Sequence, residues 1–106
     1  MLDHLTAADF SHAIGTACKL VTPESFDVAV VIDTVTEKPQ FANPYVEEGR
    51  RTPFLVTLSS IAPSAFCDGP CDVVFADGKR LTGIDVSRVA PLGRDPQLAY
   101  YQMIFN

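Results

Sequence analysis

Apolar and polar residues alternate with a period of two along most of this chain, and only near its start do they recur with helical spacing. There Thr6 and Asp9 stand three apart as in a capping box, and Leu5 and Phe10 hold the two positions of a hydrophobic staple. Ala7, Phe10, Ala13 and Ile14 share one helical face, and Gly15 is placed to end the helix in a left-handed conformation. The pattern predicts one short helix, about residues 7–14, whose Phe10 and Ile14 lie on a sheet or plug the end of a barrel. His12 falls away from that face.

The remaining segments read as strands and turns. A short strand over 16–21 stops before Pro23. The next, over 26–37, sets Phe26, Val28, Val30 and Ile32 against Asp27, Ala29, Val31 and Asp33. Its centre is apolar on both faces, which predicts a strand covered in part on both sides. Strands follow over 54–60 and 71–76, and then Asp77-Gly78 gives the strongest hairpin signal in the chain. The strand over 80–89 returns antiparallel, with Gly83 marking a bulge or a close backbone approach. The last strand, about 98–105, places Tyr101, Met103 and Phe105 inward and Gln102 outward, because that set carries the larger apolar payload. The expected fold is mainly β: one domain over 1–106, a small antiparallel β-barrel or sandwich of about six strands, with one short N-terminal α-helix.

Composition narrows the functions. The 106 residues suit one domain, and 47% hydrophobic with 20% charged residues is globular rather than disordered. The net charge is −5, and the basic residues are scattered apart from Arg50 and Arg51, which argues against a nucleic-acid partner. No apolar run approaches the ~20 residues of a membrane span. The first residues lack the basic and apolar regions of a secretory signal, so a cytoplasmic location is expected. The cysteines are three, Cys18, Cys67 and Cys71. An odd count favours reduced thiols, with a bridge across Asp68-Gly69-Pro70 as the sterically conceivable exception. A zinc site needs four ligands, and His4 and His12 lie at the other end of the chain from Cys67 and Cys71. Neither a metal nor a cofactor is expected.

Catalytic patterns are absent. No serine sits in a G-x-S-x-G elbow, no acidic loop has calcium spacing, and no Gly-rich loop is arranged to cradle phosphate. The connection over 39–53 stands out instead, being long, proline-interrupted and furnished with Phe41 and Tyr45, aromatics that a spacer does not need. These either cover one end of the barrel or contact another chain. Arg51 stands two residues before Pro53, where its guanidinium could satisfy loop carbonyls, the C-terminal carboxylate or a partner. Phe41, Tyr45, Arg50 and Arg51 are therefore the candidate partner contacts.

Several segments also occur in a telling order. Leu-Thr-x-x-x-Phe and a glycine precede the first strand, and Arg-x-Pro-Phe leads into a later one. Phe66-Cys67-Asp68-Gly69-Pro70 follows, then Val89-x-Pro-Leu-Gly, and the chain closes on Tyr101-Gln102-Met103-Ile104-Phe105-Asn106. This resembles a family of bacterial proteins of about one hundred residues known only as a domain of unknown function. Their chains finish in an aromatic-x-x-hydrophobic-Phe-Asn strand. The sequence departs from that pattern at 66–71, where the family's turn is nearer Leu-x-Gln-Gly-x-Tyr, and in its longer acidic segment before Arg51. The resemblance implies neighbours encoding phage-tail-collar-like proteins and implies no catalytic residues. The expected function is non-catalytic protein–protein interaction, as an accessory or structural part of a bacterial, phage-tail-derived assembly. The expected partner is another protein, or a second copy in a homo-oligomer. The alternative is a small-ligand-binding β-barrel, which requires an enclosed, mostly apolar cavity.

Overall fold

The period-two segments close on themselves. In a computed structural model that describes residues 5–24, 26–38 and 53–105, six strands form a closed antiparallel barrel. They are β1 (Ala17–Val21), β2 (Asp27–Glu37), β3 (Phe54–Ser60), β4 (Asp68–Phe75), β5 (Arg80–Val89) and β6 (Tyr100–Phe105), preceded by a helix α1 (Ala8–Ser11). Around the barrel the order is β1-β2-β3-β6-β5-β4, which decides the fold in favour of a barrel over a sandwich. No helix among the described residues is long and apolar enough to cross a membrane.

Inward positions follow the alternation. Val28, Val30 and Ile32 of β2, Phe54, Val56 and Leu58 of β3, and Tyr101, Met103 and Phe105 of β6 are all buried. Gln102 pairs outward with Thr57 and Ser87. The outer face of β2 is only partly covered, with Val31 half-buried and Ala29 exposed. Gly83 marks a bulge as expected: Thr82 and Gly83 together oppose Asp72, and Gly83 takes φ +69°.

The helix is shorter than its pattern. Only Ala8–Ser11 is helical; Ser11 Oγ also donates to the Ala7 carbonyl at 2.9 Å and His12 Nδ1 lies 3.2 Å from the Ala8 oxygen. The chain then tightens, with Ala13 N–H on Phe10 and Ile14 N–H on Ser11. Gly15, at φ +82°, gives its N–H to Ile32 of β2 at 2.8 Å. Half of the capping box forms, the Asp9 carboxylate accepting the Thr6 N–H at 2.7 Å, while the Thr6 hydroxyl makes no cap. Phe10 enters the barrel as expected, but Ile14 does not. Its backbone bridges to Ile32 and its side chain is left half exposed, so Leu5 and Ala13 take the buried places beside Phe10.

Two further boundaries differ. β4 begins at Asp68 rather than 71, because Gly69 at φ +143° supplies an extended conformation that other residues rarely adopt. Pro70 is tolerated there because it lies past the last pair with β1, Val21 with Asp72. The Asp77-Gly78 hairpin has a three-residue loop: the Phe75 N–H donates to the Lys79 carbonyl, the Lys79 N–H donates to the Asp77 carboxylate, and Gly78, at φ +93°, donates to the Phe75 carbonyl.

Candidate functional site

The two ends of the barrel are built from different materials. At the end carrying α1, Phe10 stands among Phe54, Phe75 and Phe105, with ring centroids 5.9, 5.8 and 5.4 Å away. Phe54 and Phe105 stack at 4.5 Å and 11°. Phe10 is fully buried, so this end is sealed by hydrocarbon.

The opposite end is closed by three connections, over 22–26, 61–67 and 90–99, that hydrogen bonds hold in place. The first is pinned by Thr22, whose N–H reaches the Phe26 carbonyl and whose hydroxyl accepts the Phe26 N–H at 3.1 Å. The second straps the mouth. Tyr101, inward on β6, donates its hydroxyl to the Phe66 carbonyl at 2.8 Å and stands 3.0 Å from Ser64 Oγ. Arg88 adds a bond to the Ser64 carbonyl at 3.0 Å. The third folds back over β6, where the Arg94 guanidinium lies 3.8 Å above the Tyr100 ring and the Tyr100 hydroxyl donates to Asp95. Tyr100 is thereby buried although its register places it outward. Ser60 anchors the return, its Oγ accepting the Ala99 N–H at 2.8 Å.

Each of these connections also holds one large apolar side chain in solvent: Phe26 is 66% exposed, Ile61 54% and Leu92 84%. Leu92 sits at φ +54°, an uncommon conformation for a residue with a Cβ. Between the first connection and the strap lies an open cleft of about 550 Å³. Pro23, Phe26, Phe66 and Pro70 give it apolar walls, and Glu24, Asp27 and Asp68 its carboxylates. Phe66 is held with its ring 5.7 Å from that of Tyr101.

The cysteines are all free. Cys67 is exposed and lines the cleft rather than packing as a small hydrophobe. Cys18 and Cys71 are buried. Burial pushes the Cys18 thiol up to about 11. It does the same for Cys71, with the negative charges of Asp72 and Glu24 adding to the effect, again to about 11. Neither is a ready nucleophile near neutral pH. His12 is bonded to Ala8 and its ring lies tilted beside Phe75, centroids 6.0 Å apart, at the α1 end. Among the described residues no group of three or more His, Cys, Asp or Glu could hold a metal.

The candidate contacts Phe41, Tyr45, Arg50 and Arg51 lie outside the described residues, as does most of the connection over 39–53. Pattern reading missed the cleft, because its walls come from 23–28 and 64–70, which no local spacing relates. The signal available was an aromatic beside a proline or glycine turn at both places, Phe26 and Phe66. No protein-family model, curated protein or solved structure matches this chain.

Proposed function

We propose that this chain is a non-catalytic protein-interaction domain that binds its partner through the mouth of the barrel opposite α1. One observation carries the reading. The interior is filled by its own side chains, with Phe10, Phe54, Leu58, Tyr101 and Met103 at 1% exposure or less, while all three connections at one end hold large apolar groups in solvent. A small barrel filled in this way works as a scaffold, and exposed apolar surface rimmed by polar groups is characteristic of contact sites. The family resemblance in the last strand, Tyr101-Gln102-Met103-Ile104-Phe105-Asn106, favours the same direction, an accessory part of a bacterial, phage-tail-derived assembly.

A small ligand inside the barrel would have to displace that packing, so the ligand-binding alternative reduces to the external cleft. The test is affinity capture from native lysate followed by reconstitution with the purified captured protein. A complex of defined stoichiometry, lost in the variant Phe26→Ala, is the expected result. A chain that captures nothing and elutes as a monomer would overturn the proposal.

A further inference from the structure

The cleft at the barrel mouth has charge of one sign. Glu24, Asp27 and Asp68 line it, and among the described residues no lysine or arginine does. Asp27 is answered only weakly, by Lys19 at 3.9 Å, with both side chains more than half exposed. Among the described residues Glu24 and Asp68 are in no ion pair. The charge reaches the neighbouring Cys71, whose thiol is pushed up first by burial and then by the negative charges of Asp72 and Glu24. Beside these carboxylates stand the exposed Phe26 and the tethered Phe66. An aromatic face next to a carboxylate attracts a lysine or arginine side chain twice, through the ring and through the ion pair.

The backbone in the same place is open on one side. β1 and β4 pair last at Val21 and Asp72, so from Asp68 to Cys71 β4 has only β5 beside it. The cleft lies where β1 would have continued, and its lining takes in Pro23 and Glu24 just past β1 and Asp68, Gly69 and Pro70 of β4. A strand side without a neighbour accepts an extended chain. The volume, about 550 Å³, falls in the range of clefts that take ligands. An anionic membrane or a nucleic acid would be repelled by the same carboxylates.

Resting on the reading of this chain as an interaction domain, we infer that the cleft takes an extended, lysine- or arginine-bearing apolar segment of a partner protein. The segment lies along the open side of β4, with a cationic side chain between Phe26 and the carboxylates of Glu24 and Asp68.

The test uses the full chain and a phage-displayed library of random dodecapeptides. Selected peptides are synthesised and their affinities measured by fluorescence anisotropy. They should be rich in lysine or arginine interleaved with apolar residues and poor in aspartate and glutamate, and added salt should weaken them. Phe26→Ala, and separately the double variant Glu24→Gln with Asp68→Asn, should each reduce affinity about tenfold or more. Lys19→Gln should leave it unchanged or tighten it. The substituted side chains at 24, 26 and 68 are exposed, so circular dichroism should show the fold intact in each variant. Absence of enrichment, enrichment of acidic or uncharged peptides, or affinities indifferent to the cleft variants would overturn the inference. So would a concentration-dependent dimer of the chain itself that Phe26→Ala abolishes. Peptides that bind while ignoring the cleft variants would sink this site alone and leave the interaction reading standing. An empty lysate capture would remove the reading itself.

Discussion

The α1 end of the barrel and its mouth contain similar side chains put to opposite uses. At the α1 end four phenylalanines pack together, with the Phe10 ring 5.4–5.9 Å from those of Phe54, Phe75 and Phe105. At the mouth the polar groups do the holding: Tyr101 on Phe66 and Ser64, Arg88 on Ser64, Arg94 over Tyr100. Phe26, in the first connection, faces water. Hydrocarbon contact is non-directional and fixes a core, whereas hydrogen bonds can fix a loop without drawing its apolar side chains inward. One end is thus held by hydrocarbon contact and the other by directed polar bonds.

The largest test of that contrast is Phe10→Ala. Removing a fully buried ring that touches three others should cost about 3–5 kcal/mol, read as a loss in urea midpoint at unchanged slope. A loss below about 1 kcal/mol would mean that the α1 end is not sealed by this ring, and the contrast would fall.

Legibility follows the same division. The bounds of β3 and β5 and the inward set Tyr101, Met103 and Phe105 were readable, because burial on one face of a strand writes itself into every second residue. Phe10 was readable from the staple spacing. Ile14 was not, since its exposure is decided by Gly15 reaching Ile32, a contact across 17 residues of sequence. Likewise Gly69-Pro70 looks like a turn until the end of β1 leaves that stretch of β4 with a single neighbour. Tyr100 shows the limit most plainly. By register it faces out, and only the return of Arg94 from the loop buries it. The cleft is made wholly of such meetings and therefore left no periodic trace.

An intermediate effect is expected from the two buried thiols, Cys18 paired with Phe75 toward the α1 end and Cys71 beside the cleft. Folded, both keep their protons to about 11 against an ordinary thiol value of 9.0. Their contribution is therefore whole below pH 9. As pH rises from 9 to 11 the unfolded chain loses protons that the folded chain retains, and stability falls by about 2 kcal/mol per thiol. Denaturant midpoints across that window should drop steeply in the native chain and less in Cys18→Ala with Cys71→Ala. At neutral pH, Ellman's reagent should titrate Cys67 promptly and all three thiols only after unfolding. Prompt reaction of a second thiol in the folded chain would contradict the burial.

A smaller loss should come from Tyr101→Phe. The ring stays in the core, and only the hydroxyl that ties down Phe66 and Ser64 disappears. The expected cost is about 1–2 kcal/mol, accompanied by faster hydrogen exchange of the Phe66 amide. The exchange measurement separates this variant from ordinary core damage, because the strap should loosen while amides of β2 and β3 keep their protection. Uniform loss of protection would show that the mouth and the core melt as one unit, which would blur the contrast.

The smallest effect should be that of Phe26→Ala, chemically the same substitution as at Phe10. Phe26 is two-thirds exposed, and its contribution to the fold is its backbone bonding with Thr22, which alanine preserves. Stability should stay within about 0.5 kcal/mol of the parent. The two phenylalanines should then differ by several kcal/mol in stability and, under the proposed interaction role, in the reverse sense in partner binding. A double-mutant measurement sharpens the point. With the two rings at opposite ends of the barrel, their stability effects should add to within about 0.5 kcal/mol. Measurable coupling, or a Phe26→Ala cost above about 2 kcal/mol, would place Phe26 in the folding core and leave the cleft without its exposed aromatic wall.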